Sequence, residues 1–248
     1  MSQVTVDDVR NHVEENIGSF HAARLRKLEE LKLDQMLKRK NPYLFRAKNL
    51  LHASDLIKTF LDAHLSSQEE TIFGQFLEGL ALFVNEKVYG GWKSSAEGID
   101  LEFNRESIRY MVSIKSGPNW GNSSQIKRMK DNFTRAQKIL RQQDRNMNIQ
   151  AVNGCCYGRD NHPDKDGYFK YCGQRFWVFI SGNPDLYTEI IEPLGHRAKE
   201  RNEEFSENYN RVMNKFSESF MKRFCEDGRI QWQKLLYFNS GYEPPSTD

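Results

Sequence analysis

The chain has no long apolar run, no cysteine framework and no dominant charge. No stretch approaches the roughly 20 apolar residues that a membrane-spanning helix needs, so a spanning protein is excluded from the expectation. The opening, MSQVTVDDVRNHVEEN, is acidic and has no apolar signal region, which makes residence in the cytoplasm the expected location. The cysteines are Cys155, Cys156, Cys172 and Cys225. They contain no Cys-x-x-Cys knuckle, and His162 between Cys156 and Cys172 does not supply the missing spacing for zinc. Free thiols serving as small buried hydrophobes are the expectation. The net charge is only +2. It neither announces a nucleic-acid binder nor excludes one, because phosphate contact needs a local basic face and not a basic total. There is no internal repeat and no low-complexity tract.

What is present suits a soluble globular protein: 248 residues, 38% hydrophobic and 28% charged, enough for one large domain or a core with an extension. Basic residues are uneven. Nine lie between 22 and 48 (Arg24, Arg26, Lys27, Lys32, Lys38, Arg39, Lys40, Arg46, Lys48) and seven between 127 and 145. Apolar spacing near 3.6 predicts helix from 4 to 40, ended by Asn41-Pro42. It predicts a second helix over 53–64, and a third opened by a capping box from Ser67 to Glu70 and running to about Val88. Strands are predicted near 98–104, 109–116, 149–157 and 174–181, with a long polar helix over 124–144. Mostly helix is expected after residue 181 to about 226, and a short aromatic segment over 229–238. The order suits an α/β (α+β mixed) fold, a central mixed sheet flanked by helices, with residues 1–65 as a helical extension and 66–248 as the core. The leucine stripe of the extension suits either a dimer contact or packing on its own core.

The most informative segment is GIDLEFNRESIRYMVSIKS at 98–116. Alternate residues of a strand share a face, so Asp100 pairs with Glu102 and Ser113 with Lys115. If the two runs are neighbouring strands, carboxylates and an ammonium converge at one sheet edge. Such a group can hold Mg²⁺ beside a phosphate, with a lysine near the attacking water.

This spacing resembles the core of the PD-(D/E)xK nucleases, in which one acid on a first strand is followed by acid-x-Lys on the next. Here Ser113 stands where the second acid usually sits. Some members of that superfamily have Ser-x-Lys and supply the carboxylate from another element. KNPYLFRAKN at 40–49, SSQEETIFGQFLEGLA at 66–81, GIDLEF, VSIKSGPNWGNSSQ and GCCYG occur in an order that is similar to a subgroup of type II restriction endonucleases reading short palindromes, including interrupted GG-N-CC sites. The resemblance runs from about residue 40 to about 240.

The resemblance implies a restriction-endonuclease-like fold, a Mg²⁺ cofactor, double-stranded DNA as substrate and a homodimer. It makes Asp100 the first metal ligand, and gives Lys115 the task of positioning water and stabilising charge on phosphate. The replacement acid is open among Glu78 on the preceding helix, Glu102, and Asp131 on the helix after the lysine. Ser113 would donate to a water at the metal. In the loop after Lys115, Asn119, Trp120, Asn122 and Gln125 are DNA-contact candidates, followed by Lys127, Arg128 and Lys130 on the next helix. The competing readings are a nuclease-fold DNA-binding module without catalysis, a repair or non-specific nuclease of the same fold, and a helical structural dimer.

Overall fold

The structure is a computed structural model and describes residues 4–162 and 164–241. Residues 1–3 of the expected extension and 242–248 of the expected core lie outside the described residues. The chain divides into two compact units, each made of two stretches. One holds residues up to Phe20 and Phe73–His196, the other His21–Ile72 and from Arg197 onward.

The first unit is built on a five-stranded sheet. Its strands are β1 (Trp92–Lys93), β2 (Leu101–Arg105), β3 (Ile108–Lys115), β4 (Asn148–Cys155) and β5 (Phe169–Cys172), in the order β1-β2-β3-β4-β5. The first three are antiparallel, while β3/β4 and β4/β5 are parallel. This is the expected mixed sheet flanked by helices. Strands β3 and β4 are buried along most of their length because both faces are covered. On one face Leu101, Phe103, Val112 and Ile114 pack with Leu77, Leu80 and Val84 of helix α4 (Ala53–Tyr89) and with Phe176, Trp177 and Ile180 of helix α6 (Gln174–Ser181). On the other, Met111, Ile149 and Ala151 meet Met129, Phe133 and Ala136 of helix α5 (Ser123–Gln143). The period-2 alternation of β3 sorts its apolar residues between these two cores.

Three elements differ from the sequence expectation. The single helix expected from 4 to 40 is two helices, Val6–Glu29 and Leu33–Arg39, parted at residues 30–32, where Lys32 is extended. The run 174–181 is helix α6, not a strand. Its buried residues Phe176, Trp177, Phe179 and Ile180 recur at helical spacing, and Gly173 and Gly182, both at positive φ, bound it. A short run that is apolar on most sides does not declare its period. The last strand of the sheet is instead Phe169–Cys172, directly before it. The two helices expected at 53–64 and 67–88 are one helix of 37 residues, α4. No glycine or proline interrupts it before Gly74, and Ser67 is not a cap: its carbonyl accepts from Thr71 Oγ1 inside the helix at 3.1 Å. The helix ends at Gly90, at φ 66°. The expected boundary after residue 65 falls inside it.

The second unit is helical apart from a two-stranded ribbon, β6 (Cys225–Glu226) with β7 (Arg229–Ile230). Its own core gathers Leu28 near the end of helix α1 (Val6–Glu29), Leu33, Met36 and Leu37 of α2 (Leu33–Arg39), and Phe45 of α3 (Pro42–Ala47). Leu56, Ile57, Phe60 and Leu61 come from α4, Phe216, Phe220 and Phe224 from α9 (Ala198–Phe224), and Leu235 from α10 (Trp232–Ser240). The short helices α7 (Leu186–Glu189) and α8 (Ile191–Leu194) belong to the first unit. Among the described residues, no helix is long and apolar enough to cross a membrane.

The β2–β3 hairpin turns through Glu106 and Ser107, at φ 52° and 61°. Both central residues are left-handed, as a type I′ turn demands, yet neither is the Asn or Gly that adopts this conformation cheaply. Glu106→Asn combined with Ser107→Gly is therefore expected to raise stability by about 0.5–1 kcal/mol, measured as a higher midpoint in urea at unchanged slope.

Candidate active site

The C-terminal end of β3 gathers the charges. The Asp100 backbone N–H donates to the Val112 carbonyl at 2.9 Å, extending the β2–β3 ladder by one residue. Its carboxylate Oδ2 accepts from the Ile114 backbone N–H at 2.6 Å. Asp100 is thus held across the end of the neighbouring strand and not aimed away from it. Lys115 Nζ lies 3.6 Å from the same oxygen and donates to the Ile114 carbonyl at 2.8 Å. Both side chains are partly accessible, 21% for Asp100 and 29% for Lys115.

Glu78 joins them from α4. Burial and the neighbouring negative charge of Asp100 hold its carboxyl above the usual glutamate range, against the opposing pull of Lys93 and Lys115. Lys93 Nζ stands 3.9 Å from it. The local reason for this approach is Gly74, one helical turn earlier on the same face. A Cβ at that position would lie 2.4 Å from Ser116 Oγ, so glycine lets α4 come close to the end of β3. Beneath the group, Cys156 is buried and its thiol is pushed up to about 12, mainly by desolvation and then by the charge of Glu78. Such a thiol is an inert filler and not a nucleophile. All four cysteines are free.

The other acids lie differently. Glu102 is buried, accepting from Ser94 Oγ at 2.6 Å and from Arg109 Nε and Nη2 at 2.9 and 2.7 Å. Its carboxylate is occupied as a structural anion between β1, β2 and β3, and the structure does not join it to the Asp100 group. Asp131 sits on the exposed face of α5. Ser113 is 1% exposed; its carbonyl accepts from Asn153 Nδ2 at 3.2 Å.

Asn153 also ties down the loop after Lys115, because its Oδ1 accepts from Trp120 Nε1 at 3.1 Å. Lys115 Nζ lies 5.5 Å from the centre of the Trp120 ring. Asn122 and Gln125 form a reciprocal capping box at the start of α5. Arg128 and Arg135 both pair with Glu97, and Lys130 pairs with Asp166. Lys127 is exposed on the same helix, and Asn119 lies between Pro118 and Trp120 in the loop. Sequence reasoning missed Lys170, 8% exposed at its side chain, which donates to the Pro118 carbonyl at 3.0 Å and pairs with Asp160. A lysine in an aromatic strand, Phe169-Lys170-Tyr171, was the available signal.

Among the described residues, no group of three or more His, Cys, Asp or Glu side chains is placed to hold a metal. Two carboxylates, Asp100 and Glu78, and the Ile114 carbonyl remain, all hard oxygen donors. That set fits Mg²⁺, which keeps several waters and takes one or two carboxylates from a protein.

A search of curated proteins finds no match to this chain. Compared with known families, residues 7–202 match the family described as type II restriction endonuclease EcoO109I, and that span covers the whole sheet and all three members of the charged group. The chain belongs to the family of the type II restriction endonuclease EcoO109I.

Proposed function

We propose that the protein is a Mg²⁺-dependent type II endonuclease acting in the cytoplasm. In this reading it hydrolyses one phosphodiester per subunit at a short palindrome, of the interrupted GG-N-CC kind. A palindromic substrate calls for two-fold symmetry and hence a homodimer. Leu28, Leu33 and Leu37 of the stripe pack in the chain's own core, so the contact is left to the exposed faces of the helical extension at residues 1–65, beside an endonuclease core at 66–248. The observation that carries the reading is the approach of Glu78, Asp100 and Lys115 at one sheet edge. Glu78 supplies the carboxylate that Ser113 does not.

Asp100 and Glu78, with the Ile114 carbonyl, would hold the metal. When bound, Mg²⁺ neutralises charge on the phosphate and makes water a better nucleophile. Lys115 then orients the attacking water and offers an ammonium to the negative charge that develops on phosphorus. The Ile114 amide keeps the Asp100 carboxylate aimed at the strand end. Ser113, behind the edge, holds the strand in register with Asn153.

Cleavage of a mixed plasmid and phage DNA panel tests this. Discrete bands in Mg²⁺, absent in EDTA, are expected. Asp100→Asn and Lys115→Ala should each lower the single-turnover rate by about 10³-fold or more, and Glu78→Gln by about 10²–10³-fold. Glu102→Gln should instead lose about 2–4 kcal/mol of stability by stranding Arg109, with a smaller effect on cleavage. A smear would point to a non-specific nuclease. A gel shift with intact DNA would point to a binding module. Full activity of Glu78→Gln would remove it from the site.

The raised pKa of Glu78 makes a second prediction. In the metal-free protein the folded state holds this proton more tightly than the unfolded chain. Stability from this group is therefore present below the ordinary glutamate range and is lost as pH rises through the raised folded value. At neutral pH without metal, Glu78→Gln should raise Tm by about 1–3 °C. Added Mg²⁺ should raise the wild-type Tm and leave the variant's nearly unchanged. Equal Mg²⁺ shifts in both would contradict the assignment of Glu78 as a ligand.

A further inference from the structure

Immediately beside the charged edge the first unit opens into a concavity of about 710 Å³. Its apolar floor includes Phe73, Leu77 and Trp177, and its polar rim includes Tyr157, Arg159 and Arg175. It shares walls with the site. Leu77 precedes Glu78 on α4, and the Cys156 and Tyr157 amides donate to the Lys115 and Ser116 carbonyls at 2.9 and 3.0 Å.

The charge of the concavity is one-sided, since none of its lining residues is Asp or Glu. Arg159 and Arg175 are exposed, and among the described residues neither is in an ion pair. Arg175 stands 5.0 Å over the Tyr171 ring. On α5, Arg128, Lys130 and Arg135 are each matched by a carboxylate, while Lys127, Lys138 and Arg141 are in no ion pair among the described residues. Other polar groups of the lining are already used: Asn161 Oδ1 accepts from the Cys172 amide at 2.7 Å and Gln174 donates to the Pro184 carbonyl at 2.9 Å.

The rim is also built to stay in place. Tyr157 is 54% exposed, yet its ring covers Gly117 so closely that a Cβ there would lie 2.3 Å from it. Gly158, at φ 99°, sits against the Pro118 ring, where a Cβ would lie 2.6 Å away. Side chains at these two glycines would push the rim off the loop that follows Lys115.

We propose that this concavity is the seat of the DNA strand next to the scissile phosphate, with Arg159 and Arg175 binding its phosphodiester groups and Tyr157 packing against the sugar. Two unmatched guanidiniums suit a polyanion. The apolar floor suits the sugar faces between phosphates, and the shared wall sets the strand's register relative to Lys115. This assignment rests on the endonuclease reading above.

The test uses full-length protein and a duplex carrying the site mapped by cleavage. Single-turnover cleavage in Mg²⁺ is followed against protein concentration at several salt concentrations. Arg159→Gln and Arg175→Gln should each raise the half-saturating concentration by about 5–20-fold near 0.1 M salt, and each should reduce the salt slope by about one. Arg→Lys should restore much of the slope. Lys234→Gln, whose lysine pairs with Glu226 in the other unit, should change neither quantity. Methylphosphonate substitution of single phosphates flanking the cut should weaken the wild type at one or two positions and weaken the matching arginine variant no further.

Unchanged half-saturation and slope in both folded arginine variants, checked by Tm, would overturn the assignment while leaving the endonuclease reading intact. Losses that are equal at every methylphosphonate position would also overturn it. A wild type that neither binds nor cuts any duplex would overturn both.

Discussion

The site depends on one contact, the hydrogen bond from the Ile114 amide to Asp100 Oδ2 across the end of the β2–β3 ladder. It fixes a carboxylate beside Lys115 on the neighbouring strand, and so turns two residues fifteen positions apart into one charged edge. The sheet makes that edge possible. Strands β3 and β4 are buried on both faces between α4, α6 and α5, so their register is held by packing, and a one-residue slip would turn every apolar side chain to the wrong core. Once the register holds, Asp100 and Lys115 have no other place to go.

Two neighbouring features act on this edge from outside the strands. Gly74 lets α4 approach Ser116 and brings Glu78, one turn further on, into the field of Asp100. The cost is a carboxyl held in a partly desolvated, like-charged place, which a divalent cation would relieve. On the other flank, Asn153 with Trp120 and Lys170 with Pro118 pin the loop after Lys115. Buried polar groups that are all satisfied keep a loop in one conformation. Rigid support of this kind is what the proposed placement of water and phosphate would require.

Much of this was legible in the chain. Asp100, Ser113 and Lys115 lie on two period-2 runs joined by a tight turn, and the alternation alone predicted which residues share a face. The long polar helix over 124–144 and the buried strand near 149–157 declared themselves by their spacing. The segment 174–181 did not. Its aromatic and β-branched residues suit a strand by propensity, but helix was decided by the bounding glycines and by what packs around it. The continuity of α4 was hidden for a related reason: the Ser67-to-Glu70 capping box is a start signal in isolation, and only packing along the helix keeps it unbroken.

The sequence by itself determined the chemistry available: an acid, a serine and a lysine at strand spacing, free cysteines, and a charge balance that leaves recognition to local patches. Only the tertiary structure decided which acid stands with Asp100 and Lys115. Glu78 and Glu102 are equivalent as letters. One is brought to the edge by a helix that a glycine allows to come close, and the other is consumed by Arg109 and Ser94. Local pattern carries periodicity, which sets the face of a strand. It carries no information about which side chains from distant elements meet there, because that is set by packing between them.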